Sequence, residues 1–157
     1  GFDKNLGAAY AKAELGAGNN LPRDGCIFIS VNDSDKNEIV KIARDLDEMN
    51  FQIIATSGTS KLLKNNGLLC KNIFKVGEGR PHIVDSIKNN QIDLIINTPL
   101  GAQSRYDEYE IGKAAIKHSI PVLTTISGAQ AAIRAIRIMQ NKALSYSSLQ
   151  EIFKTHA

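Results

Sequence analysis

The stretch FQIIATSGTS, residues 51–60, joins an apolar strand to a turn of small hydroxyl residues. The apolar part is typical of a buried parallel strand, and the turn leads directly into the helical run SKLLKNNG. A helix that begins in this way presents unpaired backbone N–H groups and the positive end of its dipole, which favour an anion. Gly58 permits a positive φ and close approach of the backbone. The turn is therefore either a phosphate seat or an ordinary helix cap, because capping also uses small hydroxyl residues.

The composition of the 157 residues is that of one globular domain, with 43% hydrophobic and 22% charged residues. The net charge of +3 comes from dispersed basic residues, so nothing supports nucleic-acid binding. No apolar run approaches the ~20 residues that span a bilayer, and the N-terminus has no signal-peptide order. Cys26 and Cys70 lie in apolar contexts and are predicted to be reduced thiols. We expect a cytoplasmic protein without membrane or nucleic-acid partners.

The first 24 residues differ from the rest of the chain. An Ala-rich helical piece at residues 6–15 precedes the linker GAGNNLPRDG, whose Gly, Asn and Pro residues mark a boundary. The chain also opens on Gly1 without a Met, which suggests a section of a larger polypeptide. We therefore expect an N-terminal helix and linker at residues 1–24, and an α/β domain at residues 25–157.

From residue 25 onwards, short apolar runs alternate with helical patterns. This spacing predicts a parallel sheet covered by helices on both faces, a three-layer α/β/α fold. Asp35 and Glu38 are in capping-box positions, Gly67 is predicted to end a helix, and Ser127 is predicted to cap the last long helix. The predicted strands are residues 26–31, the apolar part of the stretch 51–60, and residues 72–76, 93–99 and 121–126. The predicted helices are residues 36–49, 60–66, 83–89, 106–118 and 127–140, with another turn or two within 147–154.

Parallel strands all end at one edge of a sheet, and ligands bind there where the strand order reverses. The positive end of its own helix dipole would oppose the Lys36 ammonium, and a bound phosphate would offset both positive charges. The alternative is a solvated surface lysine. Lys75 has the same two interpretations. Asn97 either hydrogen-bonds a ribose or base, or caps the next loop. The polar residues predicted at this edge are Ser30, Lys36, residues 56–59, residues 75–82, Asn97, Thr98, Thr124 and Thr125.

The sequence offers no clear catalytic arrangement. The loop GEGRPH, residues 77–82, is a weak phosphate signal, and His82 is interpreted as a cap or packing residue. The acidic residues from Asp107 to Glu110 begin a helix, where acids are favoured. Neither cysteine has a nearby partner, and no residues have the spacing of metal ligands. We expect an anion-binding site without acid–base machinery or a metal.

Four segments resemble the C-terminal regulatory domain of the carbamoyl-phosphate synthase large subunit. They are SVNDSDK, ATSGTS, FKVGEGRPHIVDSIKNNQIDLIINT and PVLTTISGAQAAI. The resemblance runs from about residue 25 to residue 153, and AYAKAELG is similar to the segment that joins the preceding synthetase domain to this one. That family has the methylglyoxal synthase-like fold, so the resemblance implies a five-stranded parallel sheet with the order 3-2-1-4-5.

The resemblance also implies a regulatory function. In bacterial enzymes of this family the domain binds nucleotide effectors, UMP as an inhibitor and IMP as an activator. Asn97 and Thr98 match the nucleoside-binding part of the site, and Thr124 matches a position that contributes to an ornithine site. The residues implied to hold the effector phosphate are Lys36, Thr56, Ser57, Gly58, Thr59 and Lys75.

No cofactor is implied for the domain itself, which is not expected to be an enzyme alone. It resembles a fragment of an ATP-dependent ligase that makes carbamoyl phosphate from glutamine, bicarbonate and ATP, for arginine and pyrimidine synthesis. The whole enzyme would require ATP, magnesium or manganese, and potassium. Its other parts would be the rest of the large chain and a glutamine amidotransferase small subunit.

One residue departs from the family pattern. The hydroxyl residue two positions after Asn97 is here Pro99, which cannot donate a hydrogen bond. A methylglyoxal synthase acting on dihydroxyacetone phosphate is the first alternative, but it would need a catalytic aspartate in the loop after the third strand. Glu78 is the only acid in that loop. A structural docking domain with an inactive pocket is the second alternative.

Overall fold

The structure is a computed structural model that describes residues 1–98, 105–148 and 150–151. Helices and strands alternate along these residues, as the sequence pattern predicts. A 3₁₀ helix, Asp33–Asp35, precedes the second α-helix. The elements are α1 (Leu6–Gly16), β1 (Cys26–Val31), α2 (Lys36–Glu48), β2 (Gln52–Thr56), α3 (Ser57–Asn65), β3 (Lys71–Ile73), α4 (Ile83–Lys88), β4 (Leu94–Thr98), α5 (Arg105–Lys117), β5 (Val122–Leu123) and α6 (Ile126–Asn141).

The five strands form one parallel sheet with the order β3-β2-β1-β4-β5. The predicted fold class and strand order are therefore confirmed. The chain builds outward from β1 to β3 on one side, and then crosses to β4 on the other side. The order thus reverses between β1 and β4, where Ser30 pairs in register with Asn97.

Residues of β1 alternate between two hydrophobic cores, one on each face of the sheet. Ile27 and Ile29 pack with α2, α3 and α6, whereas Cys26 and Phe28 pack with α4 and α5. Both faces of the strand are buried from Cys26 to Ile29, which is why these four residues are all apolar and do not alternate with polar ones. The sheet therefore separates a layer of α1, α2, α3 and α6 from a layer of α4 and α5.

The N-terminal helix packs on α6. Ala8 and Ala11 are buried, and Gly7 lies so close to α6 that an added Cβ would be 2.7 Å from the backbone oxygen of Arg134. The Asn5 side chain caps α1 by accepting a hydrogen bond from the Gly7 amide at 2.9 Å. Small residues thus allow α1 to lie directly against the domain.

The predicted capping box at the start of α2 is wrong. The Asp35 side chain makes no capping hydrogen bond, so the expected exchange with Glu38 is not formed. The Asn32 side chain instead accepts a hydrogen bond from the Asp35 amide at 3.1 Å. The 3₁₀ helix begins before α2, which moves the capping position from Asp35 to Asn32.

The predicted start of α3 is three residues too late. Ser57 is already the first helical residue, so the supposed turn is the first turn of the helix. Gly58 does not use the positive φ that its sequence position suggested, because it lies within this turn. At the other end, Gly67 has φ +79° and the Leu68 amide donates to the Leu63 carbonyl at 3.1 Å, which confirms the predicted helix stop.

Strand β3 ends earlier than predicted. Its pairing with β2 covers only Lys71–Ile73, and Phe74 makes an isolated bridge to His82. Lys75 is therefore in a turn beyond the strand, where its carbonyl accepts from the Glu78 amide at 3.2 Å.

Strand β5 is also shorter than predicted, because α6 begins at Ile126. Thr125, and not Ser127, is the N-cap: its hydroxyl accepts a hydrogen bond from the Gly128 amide at 3.1 Å. In the predicted C-terminal turn, the Ser148 amide donates to the Glu151 carboxylate at 2.8 Å. Pro99, residues 100–104 and residues 152–154 lie outside the described residues, so the predictions on them have no structural counterpart.

Candidate functional site

Four polar residues lie at one register level across the carboxyl edge of the sheet. Ser30 is the register partner of Asn97, and the Thr56 Oγ1 atom lies 3.5 Å from the Ser30 Oγ atom. Thr124 directly follows β5, whose last residue pairs with Ile96 of β4. We call this set the polar row; its members are Thr56, Ser30, Asn97 and Thr124. It brings together predicted site residues from segments far apart in the sequence.

Thr98 links the end of β4 to the loop after β1. It is buried, and its hydroxyl accepts hydrogen bonds from the backbone and side-chain nitrogens of Asn32, both at 3.3 Å. The Asn32 side chain in turn donates to the Asp35 carboxylate at 2.7 Å. Thr98 therefore helps to position the segment that leads into α2 and Lys36.

Lys36 is the first residue of α2, and its ammonium is ion-paired with the Asp33 carboxylate. The Lys36 side chain is one-third exposed, whereas that of Asp33 is 88% exposed. The hydrogen bond from Lys36 and its charge hold the pKa of Asp33 below its usual value. The cation predicted to hold a phosphate thus has an internal partner in this structure.

The first turn of α3 lacks a side-chain cap. Thr56 occupies the N-cap position without a side-chain capping bond, and no acidic residue lies in the first turn. Ser57 and Gly58 are exposed, whereas Thr59 is buried. An ordinary capped turn would have the Thr56 hydroxyl bonded to a following amide. The helix terminus is instead left electropositive at the edge of the sheet.

Lys75 lies in an exposed turn near the beginning of α5. Burial raises the pKa of Asp107 in the first turn of α5, and the nearby charges of Lys75 and His82 oppose this rise, while that of Glu78 adds to it. Asp107 is therefore close to the Lys75 loop. The sequence predicted Asp107 only as an acid at the start of a helix. Its partial burial could not be inferred from the sequence pattern.

His82 is the N-cap residue of α4, in agreement with its interpretation as a cap or packing residue. The His82 amide donates to the Asp85 carboxylate at 3.0 Å, and this bond is the main cause of the lowered pKa of Asp85. The imidazole is largely buried, and its Nδ1 lies 3.5 Å from the Asp85 carboxylate. Together with the bridge between Phe74 and His82, these contacts fix the start of α4 next to the end of β3.

In the part of the chain that the structure describes, no three His, Cys, Asp or Glu side chains are arranged to hold a metal ion. Among the same residues, no helix combines the length and apolarity needed to traverse a bilayer. The chemistry at the edge of the sheet is that of hydroxyls, an amide, lysines and helix termini. Such groups bind an anion and a polar ligand.

The doubly wound sheet has a solved structural relative. The crystal structure of methylglyoxal synthase from Elizabethkingia anophelis NUHP1 matches with a TM-score of 0.58, covering 72% of this chain and 79% of that chain. The two sequences are 19% identical over this match. The likeness therefore defines the class as proteins with the methylglyoxal synthase fold.

The sequence comparison then identifies the family. The MGS-like domain family matches residues 38–124, and this chain belongs to that family. The large chain of carbamoyl phosphate synthase from Nostoc sp. is 45% identical over 151 residues, which are 96% of this chain and 14% of the relative. The C-terminal section of the large chain from Methanopyrus kandleri is 46% identical over 155 residues, 98% of this chain and 29% of that relative. The corresponding section from Aquifex aeolicus is 44% identical over 158 aligned positions, with the same coverage.

These relatives confirm the resemblance recognised in the sequence. They include C-terminal sections of the carbamoyl phosphate synthase large chain, which agrees with the predicted resemblance to part of that protein. The chain spans between about a seventh and under a third of the length of these relatives.

Proposed function

We propose that this chain is the nucleotide-sensing regulatory domain of the large chain of a glutamine-hydrolysing carbamoyl-phosphate synthase. The observation that carries the proposal is the uncapped first turn of α3 beside the polar row. This edge is where sheets of parallel strands bind ligands. Membership of the MGS-like domain family and the carbamoyl phosphate synthase relatives support the assignment.

The effector phosphate binds between the first turns of α2 and α3, two helices that pack against each other. The amides and dipole of α3 attract the anion. Gly58 leaves the backbone accessible, since no atom lies within 4 Å of the position its Cβ would occupy. Lys36 and Lys75 supply positive charge, and the hydroxyls that complete the seat are those of Thr56, Ser57 and Thr59.

The nucleoside lies along the polar row. Asn97 offers an amide donor and a carbonyl acceptor to a ribose or base, while Thr98 holds the adjoining segment through Asn32. Thr124 extends the row on the β5 side, towards an ornithine bound between this domain and the preceding synthetase domain. The effector is UMP or IMP.

The function of the whole enzyme follows from the same proposal. It would make carbamoyl phosphate from glutamine, bicarbonate and ATP in the cytoplasm, with magnesium or manganese and potassium, and with an amidotransferase small subunit. The nucleotide favours one arrangement of this domain against the synthetase domains. A coupling free energy of about 1 to 3 kcal/mol would change substrate affinity several-fold.

Calorimetric titration of the chain with UMP, IMP and dihydroxyacetone phosphate tests the proposal. We expect nucleotide binding that is weakened at least about tenfold in Lys36→Gln and Lys75→Gln, because each substitution removes a charge-assisted contact. Lys88→Gln is the matched control, since Lys88 is an exposed lysine on α4. Absence of binding by either nucleotide would indicate a docking domain with an inactive pocket and would overturn the proposal.

The fold of methylglyoxal synthase favours one second candidate, a lyase that acts on dihydroxyacetone phosphate. Such a lyase needs a general base near the bound phosphate, and the loop after β3 contains Glu78 as its only acid. Release of methylglyoxal from dihydroxyacetone phosphate by the purified chain would favour the lyase. Nucleotide binding without turnover would favour the regulatory domain.

A further inference from the structure

A polar cleft lies on the flank of α3, beside the edge strand β3. Its volume is about 310 Å³, at the lower end of the range of small-molecule sites. The side chains that line it are all polar or charged. The residues that line it are Ser57, Ser60, Lys61, Lys64, Asn65 and Asn72.

The cleft is strongly cationic. No Asp or Glu occurs between Glu48 and Glu78, a segment that contains four lysines. Lys61 and Lys64 are exposed, and neither takes part in the ion pairs of the described residues. Like charges three residues apart on a helix repel each other. A bound anion between the two ammonium groups would remove this repulsion.

A buried hydroxyl also lies in the wall of the cleft. Ser60 is 2% exposed, and its Oγ has no nitrogen or oxygen partner among the described residues. Its neighbour is the Cys70 thiol, a weak sulfur partner: burial raises the pKa of Cys70, and the hydrogen bond with Ser60 and the charge of Lys64 lower it to a smaller extent. A ligand oxygen that entered the cleft would offer this hydroxyl an acceptor after a rotation about one side-chain bond.

The cleft shares Ser57 with the proposed effector seat but none of the seat's other residues, and it extends along a different side of α3. In α3, residues 57, 60, 61, 64 and 65 lie on one side of the helix by their 3.6-residue period, and Thr59 lies on the opposite side. Thr59 is buried accordingly, whereas Ser57 and the two lysines are exposed. Lys36 belongs to α2 and does not line the cleft.

We propose that this cleft is a second anion site, which binds the diphosphate group of a small phosphorylated molecule. Two ammonium groups one helical turn apart suit two linked phosphoryl groups. The amides of Asn65 and Asn72 and the hydroxyl of Ser57 add hydrogen-bond donors. A lining made of polar and charged side chains favours a small anion over a protein segment.

Titration of the 157-residue chain with pyrophosphate, and separately with ADP, tests this site. We expect both to bind to the wild type and to the Lys36→Gln variant, because Lys36 is outside the cleft. In Lys61→Gln/Lys64→Gln the dissociation constant for pyrophosphate should rise at least about tenfold. Equal affinities for pyrophosphate and ADP would mean that the cleft recognises the diphosphate group alone. Tighter binding of ADP would mean that it recognises a nucleotide. Both results support the site.

The matched control is Lys88→Gln/Lys117→Gln, which removes the same net charge from two other exposed lysines. Amide chemical shifts of Ser60 and Asn72, which line the cleft and are not part of the effector seat, should move during the titration of the wild type. If pyrophosphate binding were weakened equally in both double variants, the effect would come from the net charge of the chain, and the proposal would be overturned. The proposal would also be overturned if pyrophosphate did not bind to the wild type, or if its binding were lost in Lys36→Gln. These results are independent of UMP binding, which tests the proposed function.

Discussion

The Lys36 ammonium is ion-paired with the Asp33 carboxylate three residues earlier. The hydrogen bond and the charge of Lys36 keep the pKa of Asp33 below its usual value. A phosphate that approaches the first turn of α2 therefore meets both a cation and a competing anion. The ion pair sets a limit on how strongly Lys36 attracts an effector.

Replacing Asp33 with Asn should tighten nucleotide binding. The substitution releases Lys36 and removes a negative charge from the neighbourhood of the phosphate. We expect the dissociation constant for UMP or IMP to fall by about two- to fivefold, the equivalent of one exposed ion pair. Calorimetry measures this change, with Asp47→Asn as the control because Asp47 is an exposed acid on the same helix. Tightening of equal size in both variants would assign the effect to net charge alone.

The architecture was predictable because it follows from runs of apolar residues. The bounds of β1 agree with the prediction at both ends, since Gly25 and Asn32 enclose a segment whose first four residues are apolar and buried on both faces. Strand order came from the family resemblance, since alternation of strands and helices does not by itself order five parallel strands.

The ends of elements and the contacts of the site were less predictable. The capping role of Asn32 depends on a 3₁₀ turn, and its partner Thr98 is 66 residues away in the sequence. The closeness of Asp107 to Lys75 likewise depends on the packing of α5 against the loop after β3. Local sequence patterns contain no information on such tertiary contacts. The polar residues at the carboxyl edge of the sheet could therefore be predicted, but the residues that they contact could not.

Removing the Thr56 hydroxyl should separate binding from stability. Thr56 is buried, and its Oγ1 has only the 3.5 Å contact with Ser30 among the described residues. Val has the same branched shape and suits a strand. In Thr56→Val we expect nucleotide affinity to fall by about fivefold to tenfold, the value of one hydrogen bond, with little change in the thermal midpoint.

Thr98→Val provides the contrasting variant. Its hydroxyl accepts two hydrogen bonds from Asn32, so its loss leaves donors without their partner. We expect the free energy of unfolding to fall by about 1 to 3 kcal/mol. Denaturant titration of both variants checks the difference. A larger loss of stability in Thr56→Val than in Thr98→Val would contradict these assignments.

The start of α6 allows a direct test of its N-cap. Thr125 accepts a hydrogen bond from the Gly128 amide, whereas Ser127, the cap predicted from the sequence, lies within the helix. Thr125→Ala should lower the free energy of unfolding by about 1 kcal/mol. Ser127→Ala should leave it unchanged or raise it slightly, because Ala has the higher helix propensity. The reverse ranking in urea denaturation would place the cap at Ser127 after all.

Gly7 and Gly16 form a matched pair for the contact between α1 and α6. A Cβ at Gly7 would lie 2.7 Å from the Arg134 backbone oxygen and 3.0 Å from the Ile138 Cδ1 atom, whereas a Cβ at Gly16 meets no atom within 4 Å. Backbone atoms of α6 cannot rotate away, so Gly7→Ala must displace α1 and should lower the free energy of unfolding by about 1 to 3 kcal/mol. Gly16→Ala should be neutral or stabilise the chain by up to about 1 kcal/mol, because Ala is the better helix former. Denaturant titrations that gave the two variants equal stability would mean that α1 does not pack on α6 in solution.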